Sequence, residues 1–270
     1  MSVLDNRVVL VTGAGRGIGR GIAQAVVAKG AAVIITDIAE NSAKETEALI
    51  REEYNTEKTL ALAMDITQED GIEKVIAAGV EKFGRVDGLV NNAAVMVDSG
   101  PLLDSDLQKR TKEIDVNING IFNCSKAFVE QVIKQNAPAA IVNVASHGGV
   151  RAHVFMGHYS STKAAVLNLT QCQSAEWAQY GVNVNAVCPG GVHTEMLQAA
   201  AEAKSAGNDK RSATELRETW VPAQLGRNME AIEVGYVVAF LLSEEAVLVR
   251  GQSVSVAGGI EHEAVQDYLG

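Results

Sequence analysis

The sequence predicts an α/β fold: a doubly wound parallel sheet of about seven strands with helices on both faces, a three-layer sandwich spanning residues 1–270 as one domain. Three observations predict it. Short β-branched and aliphatic runs alternate with helical patterns from end to end, as in strand–helix–strand units. The first run, Val8–Val11, passes through glycines at 13, 15, 17 and 19 into a helical pattern marked by Ile18, Ile22, Ala25 and Val26. And 270 residues with 47% hydrophobic content suffice for one large core.

Val8–Val11 suits a parallel strand covered on both faces. Glycine is needed after it because the chain turns tightly and its backbone must approach a ligand, which a Cβ would obstruct. A helix N-terminus behind such a turn offers free N–H groups and a positive dipole end, so a pyrophosphate is the expected guest. Gly13, Gly15, Arg16, Gly17, Ile18 and Gly19 are its expected neighbours. The spacing is Thr12-Gly13-x-x-x-Gly17-x-Gly19, not G-x-G-x-x-G. With that spacing the chain resembles the short-chain dehydrogenase/reductase family, which implies a Rossmann-type domain binding NAD or NADP.

The second strand, Ala32–Asp37, ends in a carboxylate 18 residues past Gly19, close to where dinucleotide folds place the acid that holds the adenosine ribose. Such an acid accepts from ribose hydroxyls and repels a 2′-phosphate, so Asp37 favours NAD over NADP. The plainer alternative is a solvated Asp at a strand end. Arg16 argues the other way, at a position where NADP-preferring relatives often carry a basic residue; it lies on the surface or against the pyrophosphate. Residues 40–54 read as an amphipathic helix and Leu60–Asp65 as the third strand. The resemblance assigns Asp65, with Ile66 beside it, to the adenine amino group, while the same carboxylate could cap a helix starting near Gln68. The fourth strand, Val86–Ala94, closes on Asn91-Asn92-Ala93-Ala94, where the family has Asn-Asn-Ala-Gly. The resemblance makes Asn92 and Ala93 cofactor neighbours. From about Asp106 to Gln135 the chain reads as one helix or two. Within it Asn117-Ile-Asn-Gly-Ile-Phe122 resembles the helix that carries the family's catalytic Asn, with Phe122 selecting Asn117. An Asn inside a helix is neutral to unfavourable, which suggests a function.

The fifth strand, Ala139–Ser146, brings Ser146 to the carboxyl edge, where open α/β sheets bind ligands. Thirteen residues on, Tyr159-Ser-Ser-Thr-Lys163 opens an apolar helix, and Tyr and Lys at i and i+4 share a face. The chemistry that wants this pair is proton exchange with an alcohol or ketone oxygen while a hydride moves. A free phenol has a pKa of about 10; a nearby ammonium lowering it to about 7 represents ~4 kcal/mol of differential interaction. Lys163 supplies that charge and can hold the nicotinamide ribose. Ser146 would hydrogen-bond the substrate oxygen, and the resemblance gives Asn117 a water that relays protons to Lys163. Tyr-x-x-x-Lys alone says little, since Tyr54 and Lys58 form a second copy with no partner serine; they read as a surface pair.

The sixth strand, Val182–Cys188, leads into Pro189-Gly190-Gly191-Val192-His193-Thr194. The family's Pro-Gly-x-x-x-Thr binds the nicotinamide carboxamide here through the Val192 backbone and the Thr194 hydroxyl; a Thr-capped turn is the alternative. Residues 195–225 stand where the family has a substrate-covering lid, and Trp220 and Pro222 could close the pocket, Trp220 equally by hinge packing. A helix over Ala231–Leu242 and a seventh strand, Ser253–Val256, complete the fold. That strand ends in Ala257-Gly258-Gly259 where the family often has Asp-Gly-Gly.

A net charge of −10 argues against nucleic-acid binding. Three scattered cysteines suit reduced thiols in a cytoplasmic protein, and no secretory signal or membrane-spanning run is visible. His147, His153 and His158 match no metal-ligand spacing; His147, Arg151, His153 and His193 instead suggest a pocket border for an anionic or hydroxylated substrate. Position 144 is Val, so Ser146 sits in no hydrolase elbow. The resulting expectation is an NAD-dependent oxidoreductase of a secondary alcohol or ketone. Low aromatic content (4%) and a polar lid lean towards a polyol or sugar. An NADPH-dependent ketone reductase is the nearest alternative, a non-catalytic NAD-binding sensor the next. The family resemblance implies a homotetramer.

Overall fold

The computed structural model describes residues 2–206, 212, 214–215, 221–222 and 224–260. In chain order the elements are β1 (Val8–Val11), α1 (Gly17–Ala28), β2 (Ala32–Asp37), α2 (Glu40–Tyr54), β3 (Thr59–Ala63), α3 (Glu69–Phe83) and β4 (Gly88–Asn91). Then come α4 (Leu107–Ile114), α5 (Ile121–Gln135), β5 (Ala139–Val144), α6 (Gly157–Trp177), β6 (Val182–Pro189), α7 (Glu195–Ala206), α8 (Ala231–Leu242) and β7 (Ser253–Val256). The seven strands form one parallel sheet in the order β3-β2-β1-β4-β5-β6-β7, so the strand order reverses between β1 and β4. Ligand crevices in open α/β sheets lie outside the strand carboxyl ends at such a switch point.

The pleat sorts the core into two layers. Val9 and Val11 of β1 join Val33, Ile35, Val90 and Val142 on the face covered by α1 and α8. Val8 and Leu10 join Ile34, Leu89 and Ile141 on the other, under α3 and α5. This agrees with the sandwich read from the apolar runs. Several boundaries differ from the sequence reading, each for a local reason. β4 starts after Asp87, whose Oδ2 accepts from the Val8 N–H at 2.9 Å, and ends at Asn91. β3 stops at Ala63, because Asp65 turns the chain by accepting from both the N–H and the hydroxyl of Thr67. Asp65 therefore shapes the turn ahead of α3 and does not cap it. The 106–135 segment is two helices joined through a π-helical turn, Asp115–Gly120, that contains Asn117. Lys58 lies outside α2, which ends at Tyr54.

Helices α1 and α8 cross at backbone contact. A Cβ on Gly235 would stand 2.6 Å from both Ala25 Cβ and the Gly21 carbonyl oxygen, and one on Gly21 would collide with Ala231. Overfilling such a crossing typically costs about 1–3 kcal/mol. Gly235→Ala is therefore expected to lower the unfolding free energy by that amount, read as a lower urea midpoint at unchanged m-value; an unshifted midpoint contradicts the close packing.

Candidate active site

A cleft of about 1050 Å³ opens along the strand carboxyl ends. Every residue expected to be catalytic or to bind the cofactor, except Gly15 and Asn117, lines it, from Asp37, Asp65 and Ile66 at one end to Ser146, Tyr159 and Lys163 at the other. Gly13, Arg16, Gly17, Ile18 and Gly19 form its floor beside Asn92 and Ala93, and Pro189, Gly190, Val192 and Thr194 face them.

The glycine loop is held by its neighbours. Thr12 Oγ1 accepts from the N–H groups of Asn92 and Ala93, both at 3.0 Å. Asn92 Nδ2 donates to the carbonyls of Thr12 and Gly13, both at 2.9 Å. A Cβ on Gly13 would lie 2.8 Å from Ala93 Cα, and one on Gly19 would strike the Gly13 carbonyl. The loop thus needs glycine partly for this contact, and it leaves the N-terminus of α1 facing the cleft. Gly15 turns away: its N–H donates to Asp37 Oδ2 at 3.1 Å, and a Cβ there would meet that carboxylate at 2.7 Å. Asp37 is thus a half-buried anchor and not a freely solvated strand end; its Oδ1 accepts from Ala39 N–H at 3.0 Å. Arg16 lies on the surface, ion-paired with Glu195 across the cleft mouth. The fit to a dinucleotide rests on this cradle: a backbone-lined turn at a helix N-terminus, with a carboxylate at the end of β2.

At the other end, Ser146 lies two residues past β5, where its Oγ accepts from Gly148 N–H at 3.1 Å. Tyr159 and Lys163 sit in the first two turns of α6, 8% and 2% exposed. Lys163 Nζ donates to the Val144 carbonyl at 2.8 Å and lies 5.7 Å from the centre of the Tyr159 ring. The sequence reading expected the ammonium to pull the phenol down towards neutrality. Instead burial pushes Tyr159 up to about 12, Ser146 drawing it back in part while the charge of Glu113 adds to the rise. Burial also pulls Lys163 down to about 8. Desolvation acts on both groups and opposes charge on either.

Asn117 lies in the π-helical turn between α4 and α5. It is fully buried, and its amide brackets Val95: Oδ1 accepts from Val95 N–H at 2.8 Å while Nδ2 donates to Val95 C=O at 2.9 Å. A further bond joins Nδ2 to Thr162 Oγ1 at 3.1 Å, one residue before Lys163. Its side chain ties the segment after β4 to α6. Thr194 Oγ1 accepts from Leu197 N–H at 3.2 Å, so it does cap α7 while lining the cleft. Val192 bridges Met229 through the neighbouring Gly191 carbonyl and His193 amide, which turns its own amide and carbonyl the other way.

His147 and His153 line the cleft and meet at 3.0 Å between Nδ1 and Nε2. Arg151 and His193 do not line it, contrary to expectation, and His158 pairs with Glu113 instead. Pro222 packs on Gly258 and not over the pocket, whereas Trp220 lies outside the described residues. Among the described residues no three His, Cys, Asp or Glu side chains are grouped to hold a metal, and no helix is long and apolar enough to cross a membrane. Two residues were missed. Thr12 was quoted only as part of a motif, and Glu113 carried one unused signal, its place four residues before Asn117 on the same helical face.

Comparison with known proteins followed this geometry. A family model described as enoyl-(acyl carrier protein) reductase matches residues 13–261. Levodione reductase of Leifsonia aquatica is 30% identical over 254 residues, 94% of each chain. 2,5-Dichloro-2,5-cyclohexadiene-1,4-diol dehydrogenase of Sphingobium indicum is 33% identical, over 96% of this chain and 98% of that one. The crystal structure of levodione reductase superposes with a TM-score of 0.88, covering 95% of this chain and 98% of its own. That of NAD+-bound xylitol dehydrogenase gives 0.86 at 30% identity, covering 95% and 99%.

The buried Lys163 has a measurable signature. Its pKa is lower in the folded than in the unfolded chain, so below about pH 8 the fold carries the full cost of burying an ammonium. The cost fades as pH rises from there to about 10.5, where the unfolded chain also loses the proton. Lys163→Met is therefore expected to raise stability at pH 7 by about 1–3 kcal/mol, a gain that shrinks towards pH 10. Urea midpoints of both proteins at pH 7, 8.5 and 10 measure it; a gain independent of pH contradicts the burial account.

Proposed function

Because this chain belongs to the short-chain dehydrogenase/reductase family, we propose that it interconverts a secondary alcohol and a ketone with NAD(H), using Tyr159 as general acid/base. One observation carries the reading. A single cleft joins the glycine-loop cradle to Ser146, Tyr159 and Lys163, so a dinucleotide held at one end would present its reactive ring to the other. The nicotinamide, when bound, takes or gives the hydride.

The residues around the reacting oxygen handle the proton. In the reducing direction Tyr159, which keeps its proton at neutral pH, donates it to the carbonyl oxygen, while the Ser146 hydroxyl hydrogen-bonds the same oxygen. Lys163, whose burial lowers its proton affinity and whose Nζ lies 5.7 Å from the ring centre, would supply the proton returned to the phenolate. In the oxidising direction the alcohol proton moves to the tyrosine by the same path. The Asn117 side chain supports the cleft wall through Val95, and the residue would also hold a water that relays protons to Lys163. Val192 and Thr194 would hold the carboxamide, and residues 195–225 would cover the substrate, beginning with Glu195, Met196 and Leu197 at the cleft edge.

Asp37 supports NAD. A 2′-phosphate would meet its carboxylate, and the nearest cation in the loop, Arg16, is already ion-paired with Glu195. The relatives named above act on a cyclic dione, a cyclic diol and a polyol, which supports a substrate with a second oxygen function. The family resemblance further supports a homotetramer in the cytoplasm. NADH or NADPH formation across a panel of secondary alcohols, polyols and sugar acids tests the reading. Turnover with NAD is expected, and turnover confined to NADP would reverse the cofactor assignment.

Two variants sharpen it. Tyr159→Phe is expected to cut kcat/KM by about 10³-fold or more while leaving NADH affinity unchanged; substantial residual turnover would remove Tyr159 from its role. Asp37→Ala is expected to raise the NADP-to-NAD ratio of kcat/KM by about tenfold, the equivalent of 1.4 kcal/mol of discrimination. An unchanged ratio would contradict the repulsion argument.

A further inference from the structure

Glu113 is a carboxylate that the chemistry above does not use. It lies on α4, fully buried. Its Oε1 accepts from Val97 N–H at 2.6 Å and Asp98 N–H at 3.0 Å, and its Oε2 meets His158 Nδ1 at 2.7 Å. Burying a carboxylate costs several kcal/mol before its partners repay it, and an apolar side chain would fill the same helix face at less cost. What the carboxylate alone can do is collect three donors. Two belong to the segment after β4, where Val97 lines the cleft; the third belongs to the residue directly before Tyr159.

The same two pieces are joined again nearby. Gly100 N–H donates to the Phe155 carbonyl at 2.9 Å, and Leu102 packs where a Cβ on Gly157 would stand, 2.6 Å away. Phe155 holds a φ of 67°, a left-handed conformation that a bulky residue adopts only when its surroundings impose it. The 97–102 wall and the first turn of α6 therefore form one braced unit, and Glu113 is its only charged pin among the described residues.

We propose that Glu113 is a positioning residue for the oxidoreductase reaction: through Val97, Asp98 and His158 it locks the substrate-side wall of the cleft to the helical turn that carries Tyr159. The assignment rests on Tyr159 being the acid/base group. It also makes Glu113 part of the field at the phenol. The other titratable or charged groups around this corner are His158 and Lys163 on α6, His147 and His153 in the turns after β5, and Cys188 on β6. Asp98 lies in the wall, and Lys109 and Lys112 lie on α4. The negative charge of Glu113 raises the proton affinity of Tyr159.

Two substitutions separate positioning from mere structure. Glu113→Gln keeps the shape and an acceptor for the wall amides but removes the charge. His158→Ala frees the helical turn and leaves the charge less compensated. Both are expected to reduce kcat/KM for the fastest alcohol of the panel by tenfold or more with NADH affinity unchanged, and His158→Gln, which restores an N–H donor, should regain most of the loss. Tyr159 ionisation, read as the ultraviolet titration difference between each protein and its Tyr159→Phe derivative, should move to lower pH in Glu113→Gln and to higher pH in His158→Ala. Wild-type kcat/KM in Glu113→Gln overturns the proposal. So does a loss that tracks a lowered urea midpoint with the phenol titration unmoved, since that is a folding role only. If Tyr159→Phe itself stays active, the acid/base reading fails whatever Glu113 does.

Discussion

The contact on which the rest of this structure depends is the one between the glycine loop after β1 and the end of β4. Thr12, Gly13 and Gly19 on one side and Asn92 and Ala93 on the other approach so closely that a Cβ at Gly13 or Gly19 would collide with backbone. Four hydrogen bonds cross that seam, three of them donated by Asn92. The seam lies at the switch point of the sheet, where neighbouring crossovers run to opposite sides and a crevice must open. It decides that the N-terminus of α1 looks into the crevice. Asp37 then fixes the loop from the side of β2, so the carboxylate proposed to face the ribose also supports the glycine turn.

The opposite end of the cleft is built at the expense of stability. Tyr159, Lys163 and Glu113 are all nearly or fully buried, each a group that water would solvate well. Burial raises the proton affinity of Tyr159 and lowers that of Lys163, so desolvation opposes charge on either group. The cost is offset by bonds that also fix geometry: Lys163 to the Val144 carbonyl, Glu113 to three donors on two elements. The fold that carries these groups is the large apolar sandwich behind them, whose two layers contain few polar interruptions. One is the ladder that links Asn91 to Ser125 and Asn143, and Asn143 to Thr170 and Gln173. That ladder ties β4 and β5 to α5 and α6, and so holds the Ser146 end of β5 against the helix of Tyr159.

Much of this was legible before any coordinates. The apolar runs fixed the strands, because a strand buried on both faces tolerates little else, and the glycine spacing marked the loop because only glycine survives such contact. Ser146, Tyr159 and Lys163 were legible as a conjunction: a strand end, a helix start and an i,i+4 pair. Harder to see was the use of each side chain. An amide inside a helix invited a functional explanation for Asn117, but the π-helical turn that sets its side chain on Val95 was not legible. Arg16 and the histidines were ambiguous because their partners, Glu195, Glu113 and each other, are distant in sequence or differently oriented than spacing suggests.

Sequence alone determined the class of fold, the order of its elements, the glycine turn and the placing of Tyr159 and Lys163 on one helix face. Each of these follows from local rules: the pleat has period two, the helix 3.6, and glycine alone has no Cβ. Tertiary structure decided the proton affinities, the anchoring of Asp37 and Asn117, and the existence of a buried Glu113 next to the catalytic turn. Those depend on desolvation and on contacts between segments far apart in the chain. A residue type does not announce how much water it will lose, and that loss is what sets the chemistry of this cleft.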